Sequence, residues 1–117
     1  HSTAGSVTTD YVVNGSAKMW VNLQGNTSAL RDSFNVSSLT DSATGDFTFN
    51  FSSSLSNSNY ASSLLASGGD SSYMREAQHV TAATGSFRTK TKYWSGIITA
   101  NADDSLYITM KVHGDLA

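Results

Sequence analysis

The chain has 117 residues, enough for one domain with a modest core, of which 38% are apolar and 14% charged. Its net charge of -2 and lack of cysteine exclude broad nucleic-acid binding, which needs a clustered excess of Lys and Arg, and exclude disulfides, thiolate metal sites and thiol nucleophiles. No apolar run approaches the roughly 20 residues of a bilayer-crossing helix, so membrane insertion is not expected.

The remainder is rich in hydroxyl and amide side chains, with 21 Ser, 13 Thr and 8 Asn. Disorder pairs low hydrophobicity with high net charge, and that second condition is missing. The composition instead suits strands with hydroxylated wet faces. Proline is absent, so turns must rely on Gly, Asn, Asp and Ser. A chain that opens on His1 without a signal peptide reads as a piece of something longer.

Residues 1–10 are small and polar and are expected to form a flexible lead-in; residues 11–117 are expected to form the single domain. In 17–23, Ala17, Met19, Val21 and Leu23 alternate with Lys18, Trp20 and Asn22, the period of a half-buried strand. Gln24, Gly25 and Asn26 make a turn. Residues 28–40 carry Leu30, Phe34, Val36 and Leu39 at broken spacing, predicting one bent strand or two short ones. After turn residues 41–46, Phe47, Phe49 and Phe51 alternate with Thr48 and Asn50. This clear strand is expected to pair back onto 33–40 as a hairpin. Another strand is expected over 60–65.

Residues 67–83 break the alternation and are expected to be a long loop opened by Gly68 and Gly69, with a helical turn at 73–77 as the alternative. Alternation resumes at 85–94, with Phe87, Thr89, Thr91 and Tyr93 on one face and Arg88, Lys90 and Lys92 on the other. A turn at 101–104 leads to a closing strand of Leu106, Ile108, Met110 and Val112. Six to eight short strands at this spacing predict an all-β, antiparallel β-sandwich, jelly-roll-like in character.

Several of these segments, in order, resemble a module of bacteriophage tail proteins. They are Ala17-Lys18-Met19-Trp20-Val21-Asn22-Leu23-Gln24-Gly25, Phe34-Asn35-Val36-Ser37-Ser38-Leu39-Thr40-Asp41, Thr44-Gly45-Asp46-Phe47-Thr48-Phe49-Asn50-Phe51 and Asn59-Tyr60-Ala61. Similar modules stand at the C-terminal ends of tail fibres and related appendages, including those of marine and cyanobacterial phages. Ser86-Phe87-Arg88 and Val112-His113-Gly114 also agree, so the resemblance spans about 17–115. Segments 66–83 and 94–104 follow no shared pattern, as a variable tip would. The resemblance implies a homotrimer in the virion tail fibre that adsorbs to a host-surface receptor, either a glycan such as lipopolysaccharide or an outer-membrane receptor.

Within that reading, Tyr73, Arg75, His79 and Trp94 are the expected receptor-binding residues, because loops on a rigid scaffold concentrate recognition; a loop packed back on its own domain is the alternative for the first three. Trp20, Phe47 and Tyr107 are expected at the trimer contact, with the sandwich core the alternative for Trp20. Arg88, Lys90 and Lys92 suit either an anionic sugar or, more simply, a strand kept from aggregating by charge. Asp41, Asp46, Asp103 and Asp104 lack calcium-loop spacing and read as turn residues. The histidines, at 1, 79 and 113, are too scattered for a metal site. G-x-S-x-G is absent and Glu76 is the sole glutamate, so neither catalysis nor a cofactor is expected. A structural virion module without receptor binding is the alternative function, and a sugar-acting enzyme a more distant one.

Overall fold

The computed structural model describes residues 5–69, 73–95 and 99–117. Among them, nine strands form two antiparallel sheets packed as a sandwich. The strands are β1 (Met19–Gln24), β2 (Ala29–Phe34), β3 (Val36–Ala43), β4 (Asp46–Phe51), β5 (Ala61–Ser67), β6 (Met74–Ala83), β7 (Ser86–Trp94), β8 (Ala100–Ala102) and β9 (Tyr107–His113). The first sheet has the order β2-β1-β9-β5; the second has β3-β4-β7-β6, with β8 pairing the end of β7. A short helix, α1 (Thr9–Gly15), precedes them with none of its residues buried. It straddles the expected boundary between lead-in and domain, and residues 1–4 of that lead-in lie outside the described residues.

The core follows from period-2 alternation. Met19, Val21 and Leu23 of β1, Ile108, Met110 and Val112 of β9, and Phe47, Phe49 and Phe51 of β4 face inward with Phe87 of β7 and Leu55. Each fully buried side chain of this kind contributes roughly 1.5–3 kcal/mol. Two inward positions on β7 are threonines, Thr89 and Thr91. Their hydroxyls donate to the carbonyls of Gln78 and Asp103, so their burial leaves no orphaned polar group.

The stretch 28–40 is two strands, and Asn35 is the joint where the chain passes from the first sheet to the second. Its φ of 61° lies in the left-handed region, which Asn tolerates better than most residues. Its amide donates to the carbonyls of Lys18 and Ser53 at 3.0 Å each, and its Oδ1 accepts from the Ser53 N–H at 2.7 Å. The β3–β4 hairpin forms as expected and turns at Gly45. There φ is +67°, and a Cβ would lie 2.4 Å from the Thr91 carbonyl oxygen.

From Met74 on, the expected loop over 67–83 is corrected by β6, a ten-residue edge strand paired with β7 at every position but Val80, while residues 70–72 of that expectation lie outside the described residues. Its pattern is hard to read because a bulge between His79 and Thr81 shifts the register and because an edge strand needs few apolar residues. Arg75 and His79 therefore sit on a strand. The expected 94–104 loop likewise contains β8.

Candidate binding surface at the far pole

The antiparallel order gives the sandwich two poles. α1, Asn35 and the C-terminal residues share the near pole, where Leu55 bridges Leu116. The turns after β1, β3 and β8 and the ends of β5 and β7 share the far pole.

At the far pole, Tyr73 and Tyr93 lie with ring centroids 5.2 Å apart, tilted by 36°. Arg75 places its guanidinium carbon 5.9 Å from the Tyr93 centroid. Its Nε donates to Asp103 Oδ2 at 3.3 Å and its Nη1 to the Tyr73 carbonyl at 3.2 Å. The same Asp103 oxygen accepts from the Ser105 hydroxyl at 2.8 Å. Gly68 makes room for this arrangement, since a Cβ there would lie 2.3 Å from the Arg75 guanidinium carbon. Asp104 accepts from the Gly45 N–H at 2.6 Å. Both aspartates thus hold turns and strands together at this pole. Across the gap, the Arg31 guanidinium covers the Tyr107 ring at 4.3 Å and donates to the carbonyls of Leu23 and Leu106.

The far pole therefore presents aromatic rings on a base fixed by paired charges. Tyr73 is 48% exposed and Met74 80%, and Met74 stands opposite half-buried Trp94. Rings with an apolar face and a polar tip suit ligands that are themselves part apolar and part hydroxylated.

Of the expected receptor residues, Tyr73 and Arg75 come together here; Trp94, next to Tyr93 on β7, lies at the same pole but on the opposite face of the sheet, in phase with Met74. His79 does not join them: it lies four residues beyond Arg75 along β6, roughly 13 Å away at strand rise, with its ring edge-on to Phe87 at 4.8 Å. Of the expected trimer residues, Trp20 and Tyr107 share the outer face of the first sheet. Phe47 is corrected: it is 0% exposed and its surface is already used by this chain's own core. Tyr93 and Asp103 were missed in the sequence. Tyr93 continues the inward phase of Thr89 and Thr91, and only the β6–β7 register brings it beside Tyr73.

The basic row of β7 is partly neutralised. Arg88 donates twice to Asp46, at 2.8 and 2.6 Å, and this hydrogen bonding holds the Asp46 carboxyl below its ordinary value. At the near pole the Tyr60 hydroxyl lies 2.9 Å from the Ala83 carbonyl and 3.0 Å from that of Ser86, and burial pushes its pKa up. No three His, Asp or Glu among the described residues gather closely enough to hold a metal ion. No family model matches the chain, nor does any curated protein or solved structure compared with it.

Proposed function

We propose that this chain is the receptor-recognising distal domain of a phage tail fibre, binding a host-surface glycan at the far pole. The observation that carries the reading is the ring pair of Tyr73 and Tyr93, supported by the Arg75–Asp103 pair on a rigid sandwich. The ordered motifs of 17–61 supply the tail-fibre context. Aromatic faces stack on the C–H faces of sugar rings, and a fixed cluster of them binds without an ordering cost. Each contact is weak, and display as a homotrimer multiplies it. In this reading catalysis plays no part.

A second reading, a structural virion module, draws on the near pole. There a groove of about 560 Å³ is lined by Val12, Val13, Phe34 and Leu116 among others, and Tyr11, Val12 and Val13 are exposed. Exposed apolar side chains grouped in this way mark assembly contacts. The test is binding of the purified chain to immobilised bacterial lipopolysaccharides and capsules, with its solution mass measured first. Specific binding lost in Tyr73→Ala and Tyr93→Ala, with the fold intact, supports recognition. A folded trimer that binds none of these surfaces supports the structural module, and a monomer that binds none contradicts the first reading.

A further inference from the structure

The outer face of the first sheet carries a groove of about 520 Å³, lined by Trp20, Asn22, Ser63, Leu65, Thr109 and Lys111 among others. That volume falls within the roughly 300–1,000 Å³ of small-ligand sites. We propose that this groove binds an acidic pyranose, a uronic acid unit of a surface polysaccharide. The proposal rests on the glycan reading for its setting but uses neither Tyr73 nor Tyr93.

Strand register sets out the groove in two rows. In one, Phe34, Trp20, Lys111 and Ser63 stand side by side across β2, β1, β9 and β5; in the next stand Asp32, Asn22, Thr109 and Leu65. Neighbours within a row are about 4.8 Å apart along the backbone, and outward residues two apart on a strand about 7 Å, the dimensions of a sugar ring. Trp20, 39% exposed, offers an indole for the C–H face of a pyranose. Ser63, Thr109 and Asn22 offer partners for its hydroxyls. The Asn22 Oδ1 already accepts from Arg31 at 3.1 Å, which orients the amide and leaves its two N–H groups to donate.

Lys111 supplies the sign. It is exposed, beside Trp20 in the row, and makes no ion pair among the described residues. One ammonium balances one carboxylate, whereas phosphate dianions are gathered by several convergent donors. The same lysine argues against a second copy covering the groove, because interface cores are depleted in Lys and an unpaired ammonium is costly to bury.

The test is an NMR titration of the isotope-labelled full chain with tetragalacturonate, maltotetraose and glucose 1-phosphate, each up to about 20 mM, which spans the millimolar range of single weak contacts. The Trp20 indole N–H, assigned by comparison with Trp20→Phe, is expected to shift with tetragalacturonate. The neutral oligomer and the phosphate are expected to bind about tenfold more weakly, the scale of one charge-assisted hydrogen bond. Lys111→Gln should abolish that preference, and Trp20→Ala should weaken every sugar. If Trp20→Ala does not fold, Lys111→Gln still decides the matter. The proposal is overturned by equal affinity for acidic and neutral oligomers, by tighter phosphate binding, or by no Trp20 shift. It is also overturned if the Trp20 signal moves with protein concentration alone, which would mean a second copy. Because Tyr73→Ala and Tyr93→Ala leave this groove intact, its failure and a failure of the far-pole reading show in different variants.

Discussion

The two outer faces of this sandwich contrast sharply although their inner faces are alike. Outside the second sheet, β3, β4, β6 and β7 present Ser38, Thr40, Thr48, Asn50, Glu76, Gln78, Arg88 and Lys90, knit together by bonds such as Asn50 to Ser38 and Thr40. Outside the first sheet stand Trp20, Phe34, Leu65 and Tyr107, all of them exposed. Folding requires only the inner faces. An aromatic and apolar outer face therefore has to be explained by something the domain meets, whereas the hydroxylated face, apart from Met74 and Trp94 at its far-pole end, is explained by water alone.

Changes inside the sandwich should ignore this contrast and cost most. Phe49→Ala removes a fully buried ring at the centre of β4 and is expected to lose about 3–5 kcal/mol, read by denaturant unfolding. Asn35→Ala removes three hydrogen bonds at the joint between sheets while keeping its left-handed backbone, and should lose about 2–3 kcal/mol. Tyr60→Phe should lose about 1 kcal/mol, because the carbonyls of Ala83 and Ser86 give up their shared partner.

On the second sheet's outer face the sensitive feature is acid. The Asp46 carboxyl is held below its ordinary value of 3.8 by the Arg88 hydrogen bond. The folded state therefore binds its proton less readily than the unfolded chain does. The stabilisation is complete above pH 3.8 and is lost as pH falls through the lower folded value. Arg88→Met should flatten that part of the stability–pH curve, measured by thermal unfolding between pH 7 and pH 2. Smallest of all, Trp20→Ser and Lys90→Ala should each move stability by no more than about 0.5 kcal/mol. If Trp20→Ser instead costs as much as a core change, the first outer face is structural and the contrast between faces disappears.

The sequence made much of this visible, for physical reasons. β4, β7 and β9 pair strong alternation with a fully buried face, and both properties lie along the chain. β6 was hidden because its apolar residues are mostly alanines, Ala77, Ala82 and Ala83, and the bulge after His79 puts Val80 and Ala82 out of phase with the first half. Alternation also shows which residues share a face but not what covers that face, so Phe47 was open to a subunit contact until the first sheet was seen packed on it. The far-pole site is a long-range product: Arg75 meets Asp103 across 28 residues, and Tyr73 meets Tyr93 only through the β6–β7 pairing. No local spacing encodes either.

The central claim, recognition by the far-pole rings, is tested most directly by equilibrium binding to an array of bacterial surface polysaccharides. The wild type would be run beside a Tyr73→Ala/Tyr93→Ala double variant and Lys90→Ala as a surface control. The account predicts specific spots for wild type and Lys90→Ala that vanish in the double variant while its unfolding midpoint stays close to wild type. Unchanged binding by a folded double variant would contradict it.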